Sequence, residues 1–239
     1  MIKKIFLPLF IVWPCFISLP CLSQENNNML TEKEKKEGWQ LLFDGNSMNE
    51  WRTYKNKPIN SWEVINGELH CKGSVTDKTD KRSDLITKNQ YDNFELSIEW
   101  KISKAGNSGI LYHVTEDYDA SYLSGPEYQL IDDDGFPEKL EDWQKTGADY
   151  AMYTTTSRPT RLVGEYNITK IVVNGSHREY WLNGVKVLEF EAWTPDWNKR
   201  KMEGKWKDAP GYGMAKTGFI CLQDHGSEIW FRNIKIKKL

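Results

Sequence analysis

The chain has 239 residues, of which 39% are hydrophobic and 13% aromatic, and its acidic and basic residues nearly balance to a formal net charge of −2. This length suits one large sandwich or barrel domain. The mixed charge, with neither a basic stripe nor a basic amphipathic helix, argues against a nucleic-acid-binding or membrane-surface protein.

Residues 1–23 predict a secretory signal peptide, because two lysines precede an apolar run that ends at small residues. Two prolines interrupt the run, which argues against a persistent membrane-spanning helix. We expect cleavage between Ser23 and Gln24 and a mature protein in the periplasm or on the cell surface. Lipidation at Cys21 is the alternative for this segment.

Residues 24–37 form a polar N-terminal segment, in which Thr31–Lys36 predicts one short helical turn that Gly38 ends. Residues 38–239 then predict a single domain. Its strand signals begin with WQLLFDG and continue to the C-terminus, and no segment shows a sustained helical period.

Strand and hairpin signals dominate this domain. The segment FELSIEWKI (94–102) alternates apolar and polar side chains, which is typical of a strand with one buried face. Asn66-Gly67 and Asn183-Gly184 are pairs favoured in two-residue hairpin turns. Many short strands separated by turns predict an all-β fold, an antiparallel sandwich or barrel.

Two long segments, Asp134–Arg161 and Ala192–Lys216, lack strand signals, and the second contains Trp193, Trp197 and Trp206. Loops of this length in a compact domain are usually functional or disordered. The tryptophans argue against simple disorder and suggest stacking on a sugar ring.

Cys71 and Cys221 lie in predicted strands, without the Cys and His spacing of a metal site. A disulfide is permitted outside the cytoplasm. We expect two separate buried thiols instead.

Several predicted strands place polar side chains on one face and apolar ones on the other. Glu127 and Gln129 share a face, His113 lies opposite the apolar face of its strand, and Gln223 and His225 alternate with Leu222. Although the outer face of a sandwich is ordinarily polar, glycines next to these strands permit close backbone approach. The sequence therefore predicts a polar groove built from several strands.

Three consecutive acids, Asp132, Asp133 and Asp134, follow one of these strands. Clustered carboxylates suit a hard divalent cation, although the spacing is not that of an EF-hand loop and an ordinary acidic turn is the alternative. A divalent metal ion at this turn is the only cofactor that the sequence suggests.

The segments GWQLLFDGNSMNEW, AGNSGILYHV, GPEYQLIDDDG and TGFICLQDHGSEIWFRNIKIK occur in an order that resembles the DUF1080 family. Members of this family are described as 3-keto-disaccharide or 3-keto-glucoside hydrolases or lyases. The likeness runs from about Gly38 to Lys237. It implies a concanavalin A-like lectin/glucanase jelly roll, a sandwich of two antiparallel sheets.

The resemblance also implies a chemistry. A ketone at C3 of a glucoside makes the C2 hydrogen acidic, so that a base can remove it and the aglycone can leave C1 by β-elimination. Addition of water completes a net hydrolysis. Such a site needs a base, a group that stabilises the enolate oxygen, and an acid for the leaving oxygen.

The candidate catalytic residues are His113 and His225, since imidazole titrates near neutral pH, and Glu127, which competes for the role of base or acid. A carbohydrate is the expected partner, and the resemblance implies an upstream sugar 3-dehydrogenase that supplies the ketone. The expected substrate-binding residues are Glu99, Lys101, Gln129, Asp132, Gln223, Asp224, Trp193, Trp197 and Trp206.

Two other functions fit parts of this pattern. A carbohydrate-binding module without catalysis would use the same groove and tryptophans, because a fold alone does not confer activity. A retaining glucanase on the same fold is disfavoured, because the chain lacks the Glu-x-Asp-x-x-Glu run of those enzymes.

Overall fold

The computed structural model describes residues 27–74 and 79–239, so the predicted signal peptide and the alternative lipidation at Cys21 lie outside the described residues. No helix within those ranges is long and apolar enough to cross a membrane. The described strands are Trp39–Leu41 (β1), Trp51–Thr53 (β2), Trp62–Ile65 (β3), Glu68–Cys71 (β4), Leu85–Thr87 (β5), Phe94–Ile102 (β6), Asn107–Val114 (β7), Glu127–Ile131 (β8), Asn167–Asn174 (β9), His177–Leu182 (β10), Val185–Glu191 (β11), Phe219–Leu222 (β12) and Ile229–Lys238 (β13).

These strands form two antiparallel sheets, as the sequence predicted. The larger sheet has the order β11-β10-β9-β6-β13-β4-β3, and β1 also pairs with β13. The smaller sheet has the order β2-β5-β12-β7-β8. Strands distant in sequence are therefore neighbours, and β12, β7 and β8 lie side by side.

The core lies between the two sheets, and most strands contribute every second side chain to it. Burial alternates strictly along β6, as the sequence pattern of residues 94–102 predicted. Tyr128 and Leu130 of β8 belong to the same core cluster. The hydroxyls of Tyr112 on β7 and Tyr180 on β10 hydrogen-bond at 3.0 Å and join the sheets. Each large apolar side chain buried here contributes about 1.5–3 kcal/mol.

Both predicted hairpin turns are confirmed. Asn66-Gly67 joins β3 to β4 with φ of 52° and 77°, and Asn183-Gly184 joins β10 to β11 with φ of 49° and 83°. Positive φ at both positions is the geometry of the turn that matches the strand twist, and asparagine followed by glycine adopts it most readily.

Helix α1, Glu32–Lys36, confirms the predicted helical turn and begins with a capping box between Thr31 and Glu34. Helix α2, Pro195–Glu203, was not predicted: its buried residues are only Trp197 and Lys201, too few to produce a helical period. The described 3₁₀ helices are Tyr54–Asn56, Ser121–Leu123, Asp142–Gln144 and Lys205–Asp208.

Cys71 on β4 and Cys221 on β12 are both free and buried, as expected. They belong to separate clusters of buried residues, the first between the sheets and the second on the outer face of the smaller sheet. Burial raises the pKa of both thiols.

Strand β8 ends the smaller sheet, and residues 147–150 run along its free edge. The Gln129 N–H donates to Ala148 O at 3.1 Å, Gly147 N–H donates to Gln129 O at 2.9 Å, and Tyr150 N–H donates to Glu127 O at 3.0 Å. Part of the segment predicted as irregular therefore pairs with β8.

Candidate active site

A cavity of about 310 Å³ opens on the face of the smaller sheet that is turned away from the larger sheet. Its floor comes from the neighbouring strands β7 and β8 and from the turn that follows β12. Its walls come from the long segments that join the strands. The floor residues are Asn107, Glu127, Gln129, Gln223 and His225, and the wall residues are Tyr122, Tyr150, Lys205 and Trp206.

Gly109 lies at the centre of this floor. It pairs with Gln129 across β7 and β8, and its carbonyl accepts a hydrogen bond of 2.9 Å from Gln223 N–H. A Cβ atom at this position would lie 2.3 Å from Oε1 of Glu127. Glycine is therefore required here because the Glu127 carboxyl occupies the space of a side chain.

Glu127 is 5% exposed, and no described residue donates a hydrogen bond to its carboxyl group. Burial raises its pKa to about 8, against the lowering effect of Lys205, and the negative charges of Asp84 and Asp149 raise it further. The carboxyl group therefore carries a proton at neutral pH. A buried group that holds a proton near the working pH suits a general acid.

His225 is exposed to the cavity on a turn that a neighbouring ion pair holds in place. The Asp224 carboxylate accepts from Arg82 Nε at 2.8 Å, from Arg82 Nη2 at 2.6 Å and from Gly226 N–H at 3.1 Å. Asp84 accepts from Asp224 N–H at 2.9 Å. Asp224 was predicted to bind substrate, but its side chain is fully buried against Arg82 and instead positions the turn.

An aromatic wall faces this floor. Trp206 stacks on Tyr212 with centroids 4.2 Å apart and planes 9° apart, and its Nε1 donates to Tyr150 O at 3.1 Å. Lys205 Nζ lies 4.2 Å from the centroid of the Tyr150 ring. Trp206 and Tyr212 are themselves buried and form the backing of the wall, while the more exposed rings of Tyr122 and Tyr150 and the ammonium group of Lys205 offer a surface suited to a sugar ring.

The structure brings together five of the residues predicted from sequence: Glu127, Gln129, Gln223, His225 and Trp206. The other lining residues were not predicted. Lys205 is adjacent to Trp206 in sequence, and that position is the one signal that could have identified it. Tyr122 and Tyr150 carry no pattern that distinguishes them from other tyrosines, and Asn107 begins its strand.

His113, a predicted catalytic residue, lies in the interior. It is 2% exposed, its Nε2 donates to Asp92 O at 2.8 Å, and its ring contacts those of Phe94 and Tyr112. Burial lowers its pKa to about 4.

The physical reason is a β-bulge. The pairing of β7 with β12 shifts register between Phe219 and Cys221, and His113 has φ of +53°. An extra residue in one strand breaks the alternation of faces, so strict alternation assigned His113 to the wrong side.

Glu99 and Lys101 lie on the larger sheet, away from the cavity. Glu99 pairs with Arg232 at 2.7 Å, and Lys101 pairs with Glu68 at 3.7 Å. The sequence pattern correctly placed both on an outward face. It could not show that β6 and β8 belong to different sheets.

Two of the predicted tryptophans support the wall and do not line the cavity. Trp197 is 1% exposed and stacks with Tyr212 at 6.5 Å between centroids. Trp193 Nε1 donates to Gly213 O at 2.8 Å. They anchor the segment of residues 192–216 that carries Lys205 and Trp206.

The acidic turn lies outside this cavity. Asp132 accepts from Ala105 N–H at 2.8 Å and from Gly135 N–H at 2.9 Å, and Asp133 accepts from Thr146 N–H at 2.8 Å. Asp132 and Asp133 therefore accept hydrogen bonds from backbone N–H groups, as expected for an ordinary acidic turn. With Asp134 they line a second cavity of about 390 Å³.

Among residues 27–74 and 79–239, the one group of metal-ligating side chains with atoms within 4.8 Å of one another is His177, Glu179 and Glu189. It lies on β10 and β11 of the larger sheet. Lys186 Nζ contacts both glutamates, at 3.3 Å and 2.5 Å.

Comparisons with known proteins agree with this architecture. A crystal structure from Parabacteroides distasonis ATCC 8503, described as a candidate glycosyl hydrolase, is 42% identical, has a TM-score of 0.82, and covers 89% of this chain and 99% of its own. A second structure from that organism is 30% identical, with a TM-score of 0.58 over 80% of this chain and 100% of its own.

A curated relative from Bacteroides thetaiotaomicron, named 3-keto-disaccharide hydrolase, is 34% identical over 229 residues, which covers 85% of this chain and 79% of the relative. A family model, the 3-keto-alpha-glucoside-1,2-lyase-like domain, matches residues 38–237. The chain therefore belongs to the family of 3-keto-alpha-glucoside-1,2-lyase-like proteins.

Proposed function

We propose that this protein is a glycoside-cleaving enzyme that acts on 3-keto-glycosides by removing the C2 proton and eliminating the aglycone from C1. The family membership and the name of the Bacteroides thetaiotaomicron relative support the substrate class. The composition of the cavity supports the elimination.

The observation that carries the proposal is the set of titratable groups in the cavity. Among its described lining residues, Glu127 is the one carboxyl group, and it is accompanied by His225 and Lys205. A retaining glycosidase requires two carboxyl groups about 5–5.5 Å apart. An elimination next to a ketone instead requires a base, an acid and a counter-charge for the enolate, and these three side chains supply them.

In the proposed reaction, His225 removes the proton from C2, and the electron pair of the C–H bond moves to the C3 carbonyl as an enolate. The ammonium of Lys205 stabilises the enolate oxygen. The enolate then reforms the ketone as the C1–O bond breaks, and Glu127 donates its proton to the departing oxygen. The products are the free aglycone and an unsaturated 3-keto sugar, to which water adds at C1 in a net hydrolysis.

A non-catalytic carbohydrate-binding module would not require the buried acid. Burial of a carboxyl group lowers stability, and groups whose pKa is strongly shifted concentrate at functional sites. Glu127 therefore favours the enzyme over the lectin, although the aromatic wall fits both.

The proposed substrate must be supplied by an oxidation of the C3 hydroxyl of a glycoside, which is the reaction of a sugar 3-dehydrogenase. We further propose that cleavage takes place in the periplasm or at the cell surface, on the basis of the signal peptide predicted for residues 1–23. Fractionation of cells that produce residues 1–239 tests this location.

Incubation of the protein with a panel of 3-keto-disaccharides and their unoxidised parents, in deuterated buffer, tests the activity. We expect release of the aglycone from the oxidised compounds only, with deuterium appearing at C2. Because Lys205 supplies the counter-charge, we expect a chelator to leave the rate unchanged. Equal cleavage of the unoxidised parents without exchange would contradict the elimination, and a rate lost with chelator and restored by a divalent ion would assign the counter-charge to a metal.

Replacement of His113 by glutamine is expected to affect stability and not turnover. The loss of a packed imidazole and of its hydrogen bond to Asp92 O should lower the free energy of unfolding by about 2–3 kcal/mol. The folded variant should retain kcat within about threefold. Urea denaturation and initial rates measure both quantities, with His177→Gln on the larger sheet as the matched control. A loss of turnover at unchanged stability would return His113 to the catalytic residues.

A further inference from the structure

Three residues on the floor of the cavity each carry a side-chain amide oxygen without a hydrogen-bond partner among the described residues. These oxygens are Asn107 Oδ1, Gln129 Oε1 and Gln223 Oε1, and all three are buried. Buried polar atoms in folded proteins almost always have a partner, and an unpaired one lowers stability. Unpaired amide groups on three residues around one cavity point to a ligand that forms hydrogen bonds with them.

The orientation of the Gln129 amide is fixed by its surroundings. Its Nε2 donates to Gln144 O at 3.1 Å, and the backbone on both sides is held by residues 147–150. The residue is 2% exposed. Rotating the amide by 180° would place two oxygens against each other at Gln144, so the Gln129 atom that is left without a partner is the acceptor Oε1.

This restriction has a consequence for a 3-keto sugar, and it rests on the function proposed above. The C3 ketone has no proton to donate, so it cannot satisfy Gln129 Oε1. The hydroxyls of the oxidised ring at C2, C4 and C6 are donors. The ketone must instead face the donors of the cavity, of which Lys205 is the charged one.

We propose that Gln129 is a specificity-determining residue that accepts a hydrogen bond from one ring hydroxyl of the substrate and thereby turns the ketone towards Lys205. A site built to bond a hydroxyl rejects the analogue that lacks it by a large factor, because the protein group is then left buried and unpaired. The cavity therefore selects for a hydroxyl at one ring position.

The test uses a 3-keto-glycoside and its three deoxy analogues, with hydrogen in place of the hydroxyl at C2, C4 or C6. We expect one deoxy substrate to lose about 100-fold or more in kcat/KM with the natural protein. With Gln129→Met, which keeps the length and removes both polar atoms, that loss should shrink to within about threefold. The losses at the other two positions should be unchanged, and Gln40→Met, at the exposed position of β1, should behave as the natural protein.

This selective change would not follow from a structural role, which would lower activity on all four substrates together. Identical deoxy losses in Gln129→Met and the natural protein would overturn the inference. If no 3-keto-glycoside is turned over at all, the proposed function fails, and calorimetric binding of the same four compounds decides the role of Gln129. The inference is supported if removal of one hydroxyl weakens binding to the natural protein but not to Gln129→Met. Any other binding result overturns it.

Discussion

Replacement of Glu127 by glutamine is expected to lower kcat on a 3-keto-disaccharide by about 10²–10⁴-fold, the usual contribution of a positioned general acid. Glutamine has nearly the same shape, so Gly109 still leaves room for it, but an amide cannot give a proton to the departing oxygen. The effect should depend on the aglycone. With 4-nitrophenol, which leaves without protonation, the loss should be less than about 10-fold.

The pH dependence provides a second measurement on the natural protein. Because burial raises the pKa of Glu127 to about 8, the carboxyl group is protonated below that pH and ionised above it. The kcat for a disaccharide should therefore fall as the pH rises through about 8, whereas the 4-nitrophenyl substrate should not show this fall. Glu95→Gln, on the outer face of the larger sheet, is the matched control. Equal losses on both aglycones would show that Glu127 is not the acid.

Replacement of His225 by glutamine is expected to remove the base, with a loss in kcat of about 10²–10⁴-fold on every aglycone. Deuterium uptake at C2, followed by proton NMR, separates this role from that of Glu127. The His225→Gln variant should exchange no C2 hydrogen. The Glu127→Gln variant should still exchange it, because the base remains while the departure of the aglycone is slowed.

The opposite pattern would reverse the two roles: exchange would persist without His225 and vanish without the carboxyl group of Glu127. Loss of exchange in both variants would mean that proton removal requires the two groups together. His177→Gln is the control for replacing a histidine elsewhere in the molecule.

The strands of the site could be predicted because alternation is a local property of the chain. Glu127, Gln129 and Gln223 alternate with core residues, and that pattern survives in the sheet. Alternation failed at His113, where a bulge inserts one residue. Alternation placed Glu99 and Lys101 on an outward face but could not show which sheet that face belongs to. Both sheets have an outward face, and only long-range pairing decides which sheet a strand joins.

The wall of the cavity was harder to predict for a different reason. Lys205 and Tyr150 lie in segments without a period, and their positions depend on contacts between segments far apart in sequence. The hydrogen bond from Trp206 Nε1 to Tyr150 O, for example, joins residues 56 positions apart. Tryptophans in the second segment indicated that it was ordered, but not which of them would face the cavity.

The pairing of residues 147–150 with β8 also bears on how the molecule behaves in solution. Glu127 and Gln129 lie on the last strand of their sheet, and an uncovered strand of this kind invites edge-to-edge aggregation with another chain. The same three hydrogen bonds that hold these residues in place occupy the backbone groups through which such aggregation would begin. A protease cut within this stretch would thus threaten both the reacting groups and the solubility of the protein.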